Sequence, residues 1–525
     1  MRPYPIRQTD IMKRLIVICG DQLNPSAQVL SDFDPDHDAI VMTEAVEEAT
    51  PRQHKKRLIM FFAAMRHFRN ARRAEGKQVY YYALDDTAEK QEAPQTIAEG
   101  MLRAAEDFNP DHILITRTGD WRIQEALIKA AGNRLIRVED DHFFTTPDDF
   151  AKFAEGRKKL VLEDFYRPLR RKTGWLMNGN EPVGGQWNFD KENRKSFGKD
   201  GPPLIPNRRP FEPDDVTRSV QAMVDRMFPD APGKSDGFAE PVTPDQARQA
   251  LKDFIDHRLP DFGTYEDAIA MGHVTLYHSR LSAAMNLHLI SPKDVCEAAL
   301  EAYEKGNAPI NAVEGFIRQI LGWREFVRGL YWHYMPDYAA LNKLGANEEV
   351  PEFFWTGETD MACVADALSS VLSEGYAHHI QRLMVLGLFL MQYGAKPYAV
   401  HEWHMGLYLD AIDWVSLPNV VGMSQFGDGG IMGTKPYAAS GAYIDRMSDC
   451  CKTCPYTPKK AHGAEACPVT ALYWDFLAQH EQQFRKNPRM AFQLKNLDRK
   501  NPEELASIRD TAKALRNKCA RGTRI

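Results

Sequence analysis

The chain has no run of 18 or more apolar residues, which excludes a membrane-spanning helix. It also lacks a basic surplus. Its 66 Lys and Arg face 72 Asp and Glu, a formal charge of −6. Nucleic-acid binding driven by overall charge is thereby excluded, and any such contact needs a local basic face. Three short segments qualify: His54-Lys55-Lys56-Arg57, Arg157-Lys158-Lys159 and Arg170-Arg171-Lys172. A charge run of this kind is more often simply a solvated face. Internal repeats and low-complexity tracts are absent, which excludes solenoid and fibrous architectures. Cysteine is scarce, with 8 in 525 residues. The opening apolar stretch reads as a first buried strand rather than a signal peptide, and Met12 makes the residues before it read as an upstream extension. A reducing cytoplasm is therefore expected, where clustered cysteines favour metal over disulfides.

At this length one hydrophobic core does not suffice, and two or three domains are expected. Apolar runs at 14–19, 39–43, 78–83, 112–116 and 134–138 read as buried strands. Helical periodicity around 53–75 and 92–107 lies between them. Strand–helix alternation predicts an α/β domain over 12–145 with a parallel sheet covered by helices. Such sheets bind ligands at the carboxyl ends of their strands, which singles out Asp21, Gln22 and Glu44. Turn formation and capping are the plainer duties of these residues.

Residues 146–240 are rich in Pro, Gly and Asn and read as an irregular linker without a long element. Its embedded tryptophans imply that it packs on a domain. From 241 to 525 the apolar spacing is helical, as in Ala312–Tyr331 and Gly375–Tyr393, and an all-α domain is expected.

Cys451 and Cys454 form a CxxC pair, Cys467 precedes a proline, and Cys363 lies far upstream. Four thiolates suit Zn²⁺ or an iron–sulfur cube, and a late Cys-Pro recurs at iron–sulfur sites. Spacing alone does not choose between them. Cys450 rivals Cys451 as ligand, although two intervening residues favour the 451–454 pairing.

Several segments together carry a resemblance. They are Gly185-Gln-Trp-Asn-Phe-Asp190 with Glu192-Asn-Arg194, Asn311-Ala-Val-Glu-Gly-Phe-Ile-Arg-Gln-Ile-Leu-Gly-Trp-Arg-Glu-Phe326, and Tyr376-Ala-His-His-Ile-Gln-Arg382. Leu417-Pro-Asn-Val-Val-Gly-Met-Ser-Gln-Phe426 and Thr434-Lys-Pro-Tyr-Ala-Ala-Ser440 complete the set. From Met12 onward the chain resembles the photolyase/cryptochrome superfamily, and within it the iron–sulfur bacterial branch of (6-4) photolyases and cryptochromes. The resemblance implies an antenna domain, a long linker and a helical FAD domain. It also implies a [4Fe–4S] cluster on Cys363, Cys451, Cys454 and Cys467, and a lumazine antenna (6,7-dimethyl-8-ribityllumazine) near Asp21, Gln22 and Glu44.

By the same resemblance, His278, Ser279, Leu281 and Ser282 form the segment that holds the FAD phosphates, with Tyr265 at its entrance. Hydroxyls and backbone N–H groups opening a helix suit phosphate oxygens, although such residues equally cap a helix. Arg382 and Asp410 resemble the ion pair beside the isoalloxazine ring, where a guanidinium favours the charge of reduced flavin. Gln319, Trp323, Arg324 and Asn419 fall in the flavin-lining motifs. Ser416 takes the place facing flavin N5, where the branch carries a carboxylate. Trp355 and Trp403 are implied electron carriers, with His404 in place of an expected tyrosine. His379, the second of the His378-His379 pair, is implied to protonate a (6-4) lesion, with Tyr437 as a further contact. Leu383 stands where eukaryotic relatives add another histidine.

These expectations describe a monomeric, light-driven enzyme acting on UV-damaged DNA, its lesion flipped into a cavity with a basic mouth. Arg170, Arg171, Lys172 and the segment near Lys435 are the expected backbone contacts. Two other readings share the cofactors or the metal: a blue-light-sensing cryptochrome with weak repair, and an iron–sulfur nucleic-acid-binding module without photochemistry.

Overall fold

The computed structural model describes residues 12–49, 52–85, 93–198 and 201–525. Strands β1 (Arg14–Val17), β2 (Asp38–Thr43), β3 (Gln78–Tyr82), β4 (His112–Thr116) and β5 (Leu135–Val138) match the five expected runs. They form one parallel sheet in the order β3-β2-β1-β4-β5. Helices α1 (Lys55–Ala74), α2 (Ile97–Phe108) and α3 (Trp121–Ala131) cover it. Side chains alternate across a strand, so β1 sends Leu15 and Val17 one way and Ile16 the other. The first face packs on Met101, Ala104 and Phe108 of α2 and on Leu127 of α3. The second packs on Leu58, Ile59 and Phe62 of α1, in a core that runs on into the helical domain through Phe316, Phe389 and Trp403. The central strands β2, β1 and β4 are buried on both faces, which is why they read as unbroken apolar runs rather than alternating ones.

The linker departs from expectation. Three helices interrupt 146–240: α4 (Pro147–Ala154), α5 (Leu162–Thr173) and α6 (Asp215–Met227). Each has local reasons to form. Thr146 and Asp149 make a reciprocal cap on α4, with Pro147 in the first turn. Gly174 ends α5 in the left-handed region at φ 73°. In α6, Val220, Met223 and Val224 line one buried stripe. The turn-forming residues concentrate between α5 and α6, where Met177–Asn178 and Glu181–Pro182 form only a two-residue ladder.

Beyond Pro244 the regular elements among the described residues are helices, as expected, and none of them is long and apolar enough to cross a membrane. Two details differ from a plain periodic reading. Gly375 is not helical: it ends the helix Ala362–Glu374 at φ 58°, where a Cβ would stand 1.7 Å from Leu409, and helix resumes only at His379. In addition, wide π-turns interrupt three long helical runs, at Arg318–Arg324, Arg382–Gly387 and Pro418–Ser424. Such turns concentrate at functional sites, because they re-aim side chains within a helix. They carry Gln319, Trp323, Arg324, Arg382 and Asn419.

Phe150 of α4 ties the linker to the helical domain. Its buried ring meets Phe153, Phe165 and Phe326 at 5.4–5.6 Å, and a Cβ on Gly329 would come within 2.1 Å of it. Truncation leaves a cavity with little freedom to collapse. Phe150→Ala is expected to lower unfolding free energy by about 3–5 kcal/mol, measured by denaturant unfolding, with secondary structure retained at 25 °C.

Candidate functional site

The centre of the site is a two-armed ion pair. Arg382 donates through Nη1 to Asp410 Oδ1 at 2.9 Å and through Nη2 to Asp410 Oδ2 at 3.1 Å. Arg382 Nε donates to the Ala377 carbonyl at 2.6 Å, which fixes the guanidinium plane. Asp410 also accepts from Ser282 Oγ at 2.7 Å, and its backbone carbonyl accepts from Asn286 at 2.8 Å. Burial acts to raise the Asp410 pKa, but the Arg382 charge and these donors prevail and lower it. The Tyr408 ring lies 4.0 Å from the guanidinium and Tyr376 lies 5.4 Å away. The structure thus joins Ser282, Arg382 and Asp410 into one unit, with Tyr376 and Tyr408 as walls that spacing did not reveal.

The loop leading into that unit is strained. Leu276 and Arg280 both hold left-handed backbone, at φ 48° and 58°. Arg280 is anchored to Glu240, which also accepts from Arg208 at 2.7 Å. Between them, His278 is buried and stacked on His378, rings 4.7 Å apart and nearly parallel. Neither ring nitrogen of His378 has a partner, nor does Nε2 of His278. Ser279 accepts from the Leu281 backbone at 3.3 Å. Tyr265 stacks on Tyr277 at 5.5 Å, beside the same loop.

His379 follows His378 but, unlike it, reaches solvent. The protein around it and the charges of Arg382 and Arg194 hold its imidazole toward the neutral form. Burial raises the Tyr437 phenol pKa, while Arg194 and Arg489 act in the other direction. Arg194, in the linker, therefore acts on both expected catalytic side chains. Its motif was legible; its place beside them was not.

Ser416 is buried with an unpartnered hydroxyl. Asn419 donates to the Val415 carbonyl at 2.8 Å, and Gln319 to the Gly315 carbonyl at 3.2 Å. Trp323 is half-buried against Phe326. Arg324 pairs with Glu325 at 3.6 Å rather than with Asp410. It is buried between Phe143 and Trp414, 4.0 and 5.0 Å from their rings, and no guanidinium nitrogen has a hydrogen-bond partner.

Trp403 is fully buried and donates to the Phe354 carbonyl at 3.1 Å. It meets Tyr408 at 5.7 Å, and His404 fits between the two, 5.2 and 4.7 Å from them. Trp355, next to Phe354 in the chain, is half-buried under Arg52. Aromatic rings thus run in contact from Arg382 through Tyr408 and Trp403 to Phe354.

At the sheet, the three strand-end residues separate. Glu44 is buried with both oxygens engaged, by Arg66, the Tyr81 hydroxyl and the Leu84 backbone. Gln22 bridges strand ends, donating to the Arg117 carbonyl at 3.0 Å. Asp21 keeps its carboxylate in the crevice between β1 and β4, packed so close to Gly119 that a Cβ there would lie 2.2 Å from it. Burial and the nearby Asp140, Asp120 and Glu48 raise its pKa to about 7.

Cys363, Cys451, Cys454 and Cys467 line one cavity, and Cys450 lines it too. A Cβ on Gly441 would stand 2.8 Å from Cys467 Sγ, so glycine is needed there. The amides of Val469 and Thr470, opening the helix Pro468–Gln479, donate toward the Cys467 sulfur. Among the described residues no three His, Cys, Asp or Glu side chains close on a single ion.

Two of the basic segments are only partly at the surface. Arg170 is fully buried and donates to the Trp175, Leu176 and Trp187 carbonyls. It therefore cannot touch DNA, whereas Arg171 and Lys172 are exposed. His54, Lys56 and Arg57 are buried at the contact with the helical domain, where Arg57 donates to the Tyr408 carbonyl at 3.1 Å.

A model of the deoxyribodipyrimidine photo-lyase-related protein family matches residues 16–239. A bacterial class III photolyase from Agrobacterium tumefaciens shares the fold, with a TM-score of 0.55 at 15% identity over 98% of this chain and 99% of that one. Synechocystis cryptochrome gives a TM-score of 0.51 at 14% identity, covering 78% of this chain and 82% of that one. The architecture is that of the photolyases and cryptochromes. A (6-4) photolyase from Agrobacterium fabrum is 46% identical over 91% of this chain and 94% of its own length. The chain belongs to the bacterial (6-4) photolyase branch of that superfamily.

The buried histidines make acid stability a test of the site. Burial lowers His278 and His404 to about 3 and His54 to about 4. All three are neutral in the fold, so below about pH 6.5 the unfolded chain binds their protons first. Stability is expected to hold above pH 6.5 and to fall toward pH 4, by up to about 1.4 kcal/mol per pH unit for each such histidine. Unfolding titrations on His404→Phe should show a shallower acid limb.

Proposed function

We propose that the chain is a DNA photolyase that repairs (6-4) pyrimidine photoproducts using light and FAD. The observation that carries this is the Arg382–Asp410 pair with His379 one helical turn away, in a chain 46% identical to a (6-4) photolyase. FAD is held by Arg382 and Asp410 at its ring system and by the Tyr265, His278–Ser282 region at its phosphates. The unpartnered ring nitrogens of His278 and His378, and the Ser416 hydroxyl, are buried donors and acceptors that a polar ligand would satisfy. Bound there and reduced, FAD supplies an electron on illumination.

The protein's own part is to orient and to move a proton. His379 transfers one from a ring nitrogen to the lesion hydroxyl that must leave its base. In the free protein that imidazole is driven neutral. DNA phosphates brought beside it favour the charged form, so substrate binding arms the acid. The surrounding protein, Arg382 and, to a lesser degree, Arg194 oppose this and hold His379 neutral in the free protein.

The four cysteines suit an iron–sulfur cube better than zinc. Tetrahedral zinc draws its sulfurs to within ~3.8 Å of one another at a Zn–S length of about 2.3 Å. These thiols instead surround a cavity without closing on one ion. Burial holds Cys363 and Cys451 protonated, and a bound metal centre supplies the positive charge that stabilises their thiolates. Cys450 shares the cavity wall and remains the alternative to Cys451. The lumazine antenna is assigned to the crevice at Asp21, with Gln22 and Glu44 shaping it from behind. The corresponding division is an antenna domain over 12–145, a linker over 146–240 and a catalytic domain over 241–525. The second reading, a cryptochrome, draws on His404 and Ser416, which stand where electron transfer and flavin protonation are tuned.

Illuminating the reduced holoprotein with a (6-4) oligonucleotide should restore the two thymines; no recovery with FAD bound and reduced contradicts the assignment. His379→Ala should abolish recovery and leave flavin absorption unchanged. By NMR, the His379 imidazole should titrate below the ordinary 6.5 in the free protein and higher once DNA is bound. Repair should then decline as pH rises through that bound-state pKa, because the acid form is lost.

A further inference from the structure

Phe492 is 74% exposed, more than any other aromatic side chain among the described residues. A large apolar ring held in water has no role in the fold, and its surroundings give it one. The 3₁₀ turn Pro488–Met490 and the helix Ala491–Leu497 are pinned from below by Met490, Leu494 and Leu497 in a core with Met391, Phe426 and Tyr473. The ring is thus presented outward from a rigid base. Its base is also tied to the loop that carries Tyr437. Asn487 donates to the Thr434 carbonyl at 3.0 Å, and Arg489 donates to the Thr434 hydroxyl at 2.7 Å.

The charges around the ring favour a polyanion. Arg489, Lys486 and Lys495 are exposed, and none pairs with a carboxylate among the described residues. The nearby carboxylates Glu481 and Asp498 are both taken up by Arg485. An exposed aromatic ring amid cations that no carboxylate neutralises matches single-stranded or unstacked nucleic acid, whose bases stack and whose phosphates pair. A protein-binding patch would more often surround its aromatic ring with apolar area.

We propose that Phe492 stacks on a base left unpaired beside the flipped lesion, with Arg489 and Lys495 on the adjoining phosphates. This surface rests on the repair reading above. It extends the DNA-binding face from His379 and Tyr437 across Thr434 to the C-terminal helices. Opening a duplex costs stacking energy, and a ring inserted at the gap returns part of it. Damaged DNA already has the gap, so Phe492 favours damaged over intact duplex. Arg489 adds affinity for both.

The test is dark binding of the FAD-loaded full chain to intact and (6-4)-containing duplexes by fluorescence anisotropy. A 2-aminopurine opposite the lesion reports stacking. Phe492→Ala should weaken damaged-duplex binding by about tenfold and intact-duplex binding by less than about twofold. It should also leave the 2-aminopurine unquenched, while Phe492→Trp retains both properties. Arg489→Gln should weaken both duplexes alike and reduce the salt dependence by about one phosphate contact. Flavin absorption and thermal unfolding should match wild type in each variant. Undiminished preference for damaged DNA in Phe492→Ala, or equal loss on both duplexes, overturns the stacking role alone. A wild-type protein without preference for the (6-4) duplex overturns the repair reading and this proposal together.

Discussion

The Arg382–Asp410 ion pair is the constraint on which the rest of the site depends. Two largely shielded charges gain little stability over apolar packing, so such a pair is weak evidence of a structural purpose. Here each partner is held by more than the other. Arg382 is bound to the Ala377 carbonyl and faced by two tyrosine rings, and Asp410 is bound by Ser282 and Asn286. The pair therefore ties the segment before His379, the loop after His278 and the chain leading to Ser416 to one point. Arg57, from the α/β domain, grips the carbonyls of Tyr408 and Leu409 just before Asp410. The α/β and helical domains thus share one anchor.

Around that anchor the chain carries features that a stable fold alone does not call for. Leu276 and Arg280 hold left-handed backbone. His278, His378, His404 and Ser416 bury polar atoms without partners. Three helices are widened into π-turns where flavin residues are expected. Each costs stability, and they concentrate where a large polar ligand would satisfy the orphaned groups. The cysteine cavity is tied to this region through Asp366. That carboxylate follows Cys363 on its helix and accepts from Gly272 at 2.8 Å and from Gln381, beside Arg382, at 3.4 Å.

The sheet was legible in the sequence because its central strands are buried on both faces, so each of them is an apolar run bounded by turns. The helical character of the C-terminal domain was legible for the same kind of reason. The linker helices were not. Their stripes are short, and the flanking Pro, Gly and Asn masked them. Charge was a poor guide to exposure: Arg170 and Arg57 found backbone carbonyls in the interior, which no local pattern announces. The site residues came from motifs shared with a known family. What those motifs did not reveal was pairing in space: the His278–His378 stack, Tyr408 between Arg382 and Trp403, and Arg194 acting on both His379 and Tyr437. The π-turns have no sequence mark, since the widened turn is imposed by packing.

The claim that one ion pair organises the flavin site is tested most directly by a double-mutant cycle on flavin affinity, using Arg382→Gln, Asp410→Asn and the double variant. If the two side chains act as a unit, each single change lowers affinity by about tenfold or more, and the double variant is within about threefold of the weaker single one. Losses that multiply in the double variant would show two independent contacts and contradict the account.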